Sequence, residues 1–200
     1  MMRIRLPLPR LRFRKFARDD RGVAATEFAL IMPLLMTLTF GVFEVYFAYI
    51  AEDQFTRYST QTADLLARAP ELKTADIKDL LDVANKIMVE VDSHELIELH
   101  VASIGYKTTG GNPLLLWTRS SFGKNGGTPI VFDIKEAEGL GMPGETIIRV
   151  HSKYTYTSPF TYFLKVNPYL KEKVLYFKPR VTRAIAIDGS VSEQNHNWDS

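Results

Sequence analysis

Two hundred residues with 46% hydrophobic and 12% aromatic side chains are enough for one packed domain plus a membrane segment. The lack of cysteine excludes disulfides, thiol nucleophiles and cysteine-based metal sites together, without identifying a compartment. The net charge of +2 hides an asymmetry, because Arg3, Arg5, Arg10, Arg12, Arg14, Lys15, Arg18 and Arg21 precede the first long apolar run, against Asp19 and Asp20 alone. A basic flank directly before an apolar run follows the rule that keeps Lys and Arg on the cytoplasmic side of a span, and we prefer that reading to a nucleic-acid contact.

From Val23 to Ala51 the chain reads VAATEFALIMPLLMTLTFGVFEVYFAYIA, and its only charges are Glu27 and Glu44. The uncharged part, Phe28 to Phe43, falls short of the ~20 residues that cross a bilayer, so the span is expected to run through Glu44 to about Ile50. Glu44 then sits at the outer interface, where a charge costs little and where Tyr46 and Tyr49 supply amphipathic rings. The run is too long, and continues too directly into polar helical sequence, for a cleavable secretory signal. Its length and basic flank also argue against the core helix of a soluble domain. Pro33 removes a backbone donor inside the span and clashes with the preceding turn, which predicts a kink, although membrane helices tolerate proline.

Glu27 is the most specific feature, since an acid near the start of a membrane helix is costly unless something pairs with it. If the chain were cut between Gly22 and Val23, it would begin VAATE, with a positive amine at Val23 and a carboxylate five residues in. One helix turn separates the two poorly for a self-contact. A neighbouring subunit shifted along a helix bundle could present its amine to Glu27, so that neutralisation favours assembly.

Arg21-Gly22-Val23-Ala24-Ala25-Thr26-Glu27-Phe28-Ala29-Leu30, followed by Pro33, Gly41 and Glu44, resembles the TadE-like pseudopilins of tight-adherence (Flp) pilus systems. The resemblance is strong from Arg21 to Glu44 and diffuse beyond. It implies a prepilin peptidase cutting after Gly22, a processing and assembly role for Glu27, and partners among pilin or pseudopilin subunits and the inner-membrane assembly platform. TadG-like relatives share such a segment without processing, so an unprocessed, membrane-anchored protein that binds pilus or envelope partners stays open as the alternative.

Past Ile50 the pattern remains helical: Phe55, Tyr58, Thr62, Leu65, Leu66 and Ala69 recur every three or four residues, so the membrane helix is expected to continue as a stalk as far as Pro70. A second helix is predicted from near Thr74, which suits a helix cap, with Ile77, Leu80, Leu81, Ala84, Ile87, Met88 and Val91 as an apolar stripe that packs on a sheet. Ile97, Leu99 and Val101 alternate with polar neighbours, and Gly110 to Pro113 reads as the turn of a hairpin leading to Leu114 to Ser120. Ile130 to Ile134 reads as a short edge strand, Ile148 to Tyr156 as a further strand, and Val181 to Ile187 as the last. The aromatic and basic stretch between Pro159 and Pro179 suits lipid headgroups or a partner surface, but is read first as a partly buried connection between the last two strands.

Catalytic constellations are wanting. His94, His100, His151 and His196 lack metal-ligand spacing, the glycine pairs at Gly110 and Gly126 lack the residues of a phosphate loop, and Ser120 and Ser121 lack a nucleophile elbow. Asp76, Asp79 and Asp82 fall on one helix face, whereas calcium requires oxygen ligands wrapping a loop. The expectation is therefore an α+β protein with no enzymatic role, cofactor or metal. It comprises a basic cytoplasmic leader (1–22), a transmembrane helix (23–51) and an extracytoplasmic α+β domain (52–200) that contains a helix on an antiparallel sheet. The expected location is a bacterial inner membrane, crossed once, with the amino terminus cytoplasmic and the carboxy-terminal domain periplasmic. Whether the subunit enters the fibre stays open.

Overall fold

A computed structural model of the protein describes residues 20–88, 97–122, 127–160, 165 and 167–192. The leader before Asp20, together with Val91, His94 and His196, lies outside them. The chain divides into two compact units, Met1–Phe43 and Glu44–Ser200.

The first element, helix α1, spans Asp20–Arg68. In the first unit its apolar side chains, Leu30, Leu34 and Leu38 among them, are exposed, as suits a helix whose solvent is lipid. In the second unit the same helix becomes one-faced. Ala51, Phe55, Tyr58, Thr62, Ala63 and Leu66 are buried, while Asp53 pairs with Arg57 and Asp64 with Arg68, each at 2.8 Å, on the other sides. The segment expected as a stalk is thus helical, and its apolar face is part of a core. The helix ends at Arg68 because Pro70 disfavours helical geometry in the residue before it.

Strand β1 (Glu71–Leu72) leads into helix α2 (Thr74–Ile87), which starts where the sequence predicts. Thr74 itself does not cap it. Its backbone N–H (3.0 Å) and its hydroxyl (2.5 Å) both donate to the carboxylate of Asp188, and Arg119 Nε donates to Thr74 Oγ1 at 2.8 Å. These bonds hold the Asp188 carboxyl below its usual range, with the Thr74 hydroxyl as the main cause. An acid at a helix amino terminus also complements the helix dipole. Asp76 closes the same turn by accepting from Lys73 N at 2.8 Å. Ile77, Leu81, Ala84 and Met88 are buried, with Leu80 and Ile87 partly so, and α2 packs on the sheet as its stripe predicts.

The sheet contains β2 (Ile97–Tyr106), β3 (Pro113–Phe122), β4 (Thr146–Tyr156) and β5 (Tyr169–Phe177), all antiparallel in the order β3-β2-β4-β5. The expected hairpin is β2–β3, turning through Gly110 and Gly111, both at positive φ that glycine adopts without strain. Its register slips once: Ser103 faces Trp117 and Ile104 faces Leu115, so Leu116 is an unpaired bulge residue. The bulge lets the consecutive Leu116 and Trp117 both enter the main core, where Trp117 Nε1 donates to the Ile185 carbonyl at 2.9 Å. That core joins Ile97, Leu99, Val101, Ile148, Val150 and Tyr154 to α1 and α2. A smaller cluster, Ile104, Tyr106, Ala137 and Ile147, covers part of the other face.

Three expectations are corrected. Ile130 to Ile134 is not a strand. It is irregular up to Asp133, whose side chain accepts from Lys135 N at 3.0 Å and so starts a 3-10 turn, Ile134–Ala137. The stretch after Pro159 is more than a connection, because it contains β5, an edge strand whose alternation is blurred by Lys171, Glu172 and Lys173. The last strand, β6, is only Ala186–Ile187 and pairs in parallel with β1. Before it the chain bends, as the Arg183 carbonyl accepts from Thr146 Oγ1 at 2.5 Å and Arg183 Nε donates to the Gly144 carbonyl at 2.8 Å.

Phe55 is almost fully buried, its ring 5.8 Å from that of Tyr154, so Phe55→Ala should destabilise the second unit by about 3–5 kcal/mol. Denaturant titration of the full chain in detergent, followed by the fluorescence of buried Trp117, measures it. A loss below about 1 kcal/mol would show that α1 is not part of this core.

Candidate functional site

Gly22 and Val23 lie in the first turn of α1, and a side chain built on Gly22 meets no atom within 4 Å. Thr26, one turn on, folds its hydroxyl back to the Val23 carbonyl at 2.8 Å. Glu27 is exposed and forms no ion pair among the described residues. Pro33 is inside α1, where its missing N–H removes one rung of the helix ladder. Thr37 donates to the Pro33 carbonyl and Thr39 to that of Leu35, both at 2.8 Å, so hydroxyls in this apolar stretch are satisfied within the helix.

Glu44 opens the second unit. Its carboxylate accepts from the Ser158 hydroxyl just after β4. The Tyr156 phenol nearby is pushed up to about 12, chiefly by burial and then by the charge of Glu44. Three residues on, the Phe47 ring lies 6.0 Å from that of Phe160. Lys171 of β5 reaches the Ala48 carbonyl at 3.3 Å and Glu52 at 2.5 Å, with its ammonium over the rings of Tyr169 (5.3 Å) and Tyr156 (5.8 Å). Residues 44–52, which hydropathy assigns largely to the span, are thus clamped by β5 and by the residues that follow β4. Tyr46 and Tyr49 point elsewhere and are 56% and 72% exposed. Sequence reasoning missed Ser158, Phe160 and Lys171, and the aromatic and basic stretch after Pro159 was its only hint of the last two.

The sheet carries a second polar group. His100 and His151 are cross-strand partners with ring centroids 6.0 Å apart, and both are buried. His100 meets Ser120 at 2.8 Å and Glu98 at 3.3 Å, while His151 meets Glu172 at 3.2 Å, which also pairs with Lys153 at 3.2 Å. Arg149 reaches Glu136 at 3.3 Å and stands over the Phe132 ring at 4.6 Å. Burial is the main cause that lowers both histidines, and the charges of Arg149 and Lys153 add to it, against the raising effect of Glu98 or Glu172. Among the described residues no three His, Cys, Asp or Glu side chains could jointly hold a metal ion.

An α+β domain behind one amino-terminal helix that is long and apolar enough to cross a membrane defines the class, consistent with a single-pass membrane anchor. Residues 22–64 match the family described as TadE-like protein, the same family that Arg21 to Glu44 resemble in sequence. The likeness points to a Tad pilus-associated protein. It ends within α1 and does not extend to the sheet. No curated protein and no solved structure matches the chain.

Because both histidines are lowered, folding favours their neutral forms, and the unfolded chain binds more protons once pH falls below the ordinary histidine value of about 6.5. Their contribution is therefore complete above that pH and is lost as pH falls towards their folded values. Glu145, Glu172 and Asp188 are also lowered, but their contributions fade only below the ordinary carboxylate range of about 4. The denaturation midpoint should fall between pH 7 and pH 5, and His100→Gln with His151→Gln should flatten that slope. A slope unchanged in the double variant would sink this assignment.

Proposed function

We propose that this chain is a minor pilin-like subunit, a pseudopilin, of a tight-adherence Flp pilus, acting in pilus assembly or initiation and not as an enzyme. The match over residues 22–64 supports the reading, because it covers Gly22, Val23 and Glu27, which would be the processing and assembly positions of such a segment. A prepilin peptidase would cut between Gly22 and Val23, and the new amine of one subunit would neutralise Glu27 of another. The basic leader favours a cytoplasmic amino terminus and a periplasmic sheet domain at the inner membrane, by the positive-inside rule. Its partners would be other pilin or pseudopilin subunits and the assembly platform. One observation favours the unprocessed, TadG-like alternative: the Gly22–Val23 bond is inside α1, whereas a peptidase substrate must be unwound.

Amino-terminal sequencing of the mature chain separates the two readings, with Val23 expected as the first residue. Space around Gly22 means that Gly22→Leu should leave the helix intact yet stop cleavage, so that the variant keeps its leader. If wild type and variant are the same size in cells holding the peptidase, processing is refuted.

Glu27→Ala removes an acid from a lipid-facing helix, so membrane insertion should persist while assembly with other subunits is lost. Carbonate extraction measures insertion and cross-linking between subunits measures assembly. Full cross-linking by the variant would contradict the role given to Glu27.

A further inference from the structure

We propose that the groove between the last turns of α1 and the first turns of α2 is a docking site for a segment of a partner protein that presents a leucine-sized side chain beside a lysine or arginine. All of its residues belong to the second unit, so the proposal stands apart from the reading of the amino-terminal segment. α1 ends before Pro70, and the two residues of β1 lead the chain into α2, whose first turns lie across the seam from Leu65 and Ala69. The seam has a volume of about 330 Å³. That is at the small end of the roughly 300–1,000 Å³ of ligand clefts, and it suits a few side chains better than a large cofactor.

The walls of the groove are apolar and its rim is acidic. Leu65 is 51% exposed, and across from it Leu80 and Val83 are half-buried. A single exposed leucine needs no explanation, but this one is continuous with two more apolar side chains. On α2, Asp76, Leu80 and Val83 follow one another at helical spacing along one side, with Asp79 next to Leu80, so one face offers hydrocarbon and carboxylate together. Glu71 adds a third acid from β1. Asp76 accepts from Lys73 N, whereas the side chains of Glu71 and Asp79 form no hydrogen bond or ion pair among the described residues. No lysine or arginine lines the groove. Three carboxylates around an apolar seam repel acidic peptides and anionic headgroups and attract a cation held next to an apolar anchor, which is how charge at an interface selects its partner. A second copy of the chain fits less well. Its exposed apolar residue with arginines close by is Val181, yet Arg180 pairs with Asp64 at 2.9 Å and Arg183 Nε donates to the Gly144 carbonyl at 2.8 Å, so those contacts would have to break first.

The chain lacks cysteine, so one substitution places a single label. Gln61 is exposed one turn before Leu65, and Gln61→Cys in the full chain, in phosphatidylcholine nanodiscs, would carry a bimane that a nearby tryptophan quenches. The probes are the peptides GRLLKGW, GELLEGW, which reverses the charges, and GRGGKGW, which removes the anchor. GRLLKGW is expected to quench saturably, with an affinity at least about tenfold above that of either other peptide, and to lose about tenfold when Glu71→Lys and Asp79→Lys are combined. Both positions are exposed, so circular dichroism of the double variant should match the parent, and the comparison of the three peptides on the unaltered rim stands whatever that variant does. No saturable quenching by GRLLKGW, equal quenching by GELLEGW or GRGGKGW, or an affinity unchanged in a folded double variant overturns the site. Self-association of the full chain that the double variant loses would assign the groove to a second copy and overturn the partner proposed here.

Discussion

The packing of one face of α1 against the sheet is the interaction on which the second unit depends. Ala51, Phe55, Tyr58, Ala63 and Leu66 supply that face and share one core cluster with the strands, the Phe55 ring 5.8 Å from that of Tyr154. Two constraints meet in this one helix. In lipid every backbone group must be satisfied internally and the surface must be apolar all round, whereas on a sheet only one stripe needs to be apolar and the rest must suit water. The division into two units falls at Glu44, the first charged residue after Glu27.

The clamp at residues 44–52 begins at that division. The domain provides donors for this part of the helix: Ser158 for Glu44, and Lys171 for the Ala48 carbonyl and Glu52. The Lys171 side chain is almost buried, so its charge is offset by Glu52 and by the faces of Tyr156 and Tyr169. Charge, ring and hydroxyl thus tie β4 and β5 to the helix where an unpaired group would be most costly.

The opposite end of the domain is closed by another long-range device. Asp188 caps α2 from more than a hundred residues away, while β6 pairs with β1 only over two residues. The start of α2, β1 and the segment from β6 to Asp188 are therefore tied together by these bonds.

Much of this was legible in the residues alone. The unbroken apolar run after a basic flank, the three-to-four residue spacing past Ile50, the α2 stripe and the β2–β3 hairpin are local patterns whose period dictates the element. Glu27 and Pro33 stand out on the same grounds, as an acid and a proline in an apolar helix, whereas Gly22 rests on the family resemblance. What only the tertiary structure decided was which groups meet: that residues 44–52 belong with the sheet, that β5 is a strand and Val181 to Arg183 is not, and that Asp188, and not Thr74, caps α2. The physical reason is that hydropathy measures a segment's own preference for lipid or water, whereas pairing along a sheet edge, a cap in trans and the clamp on Glu44 depend on partners brought from distant parts of the chain.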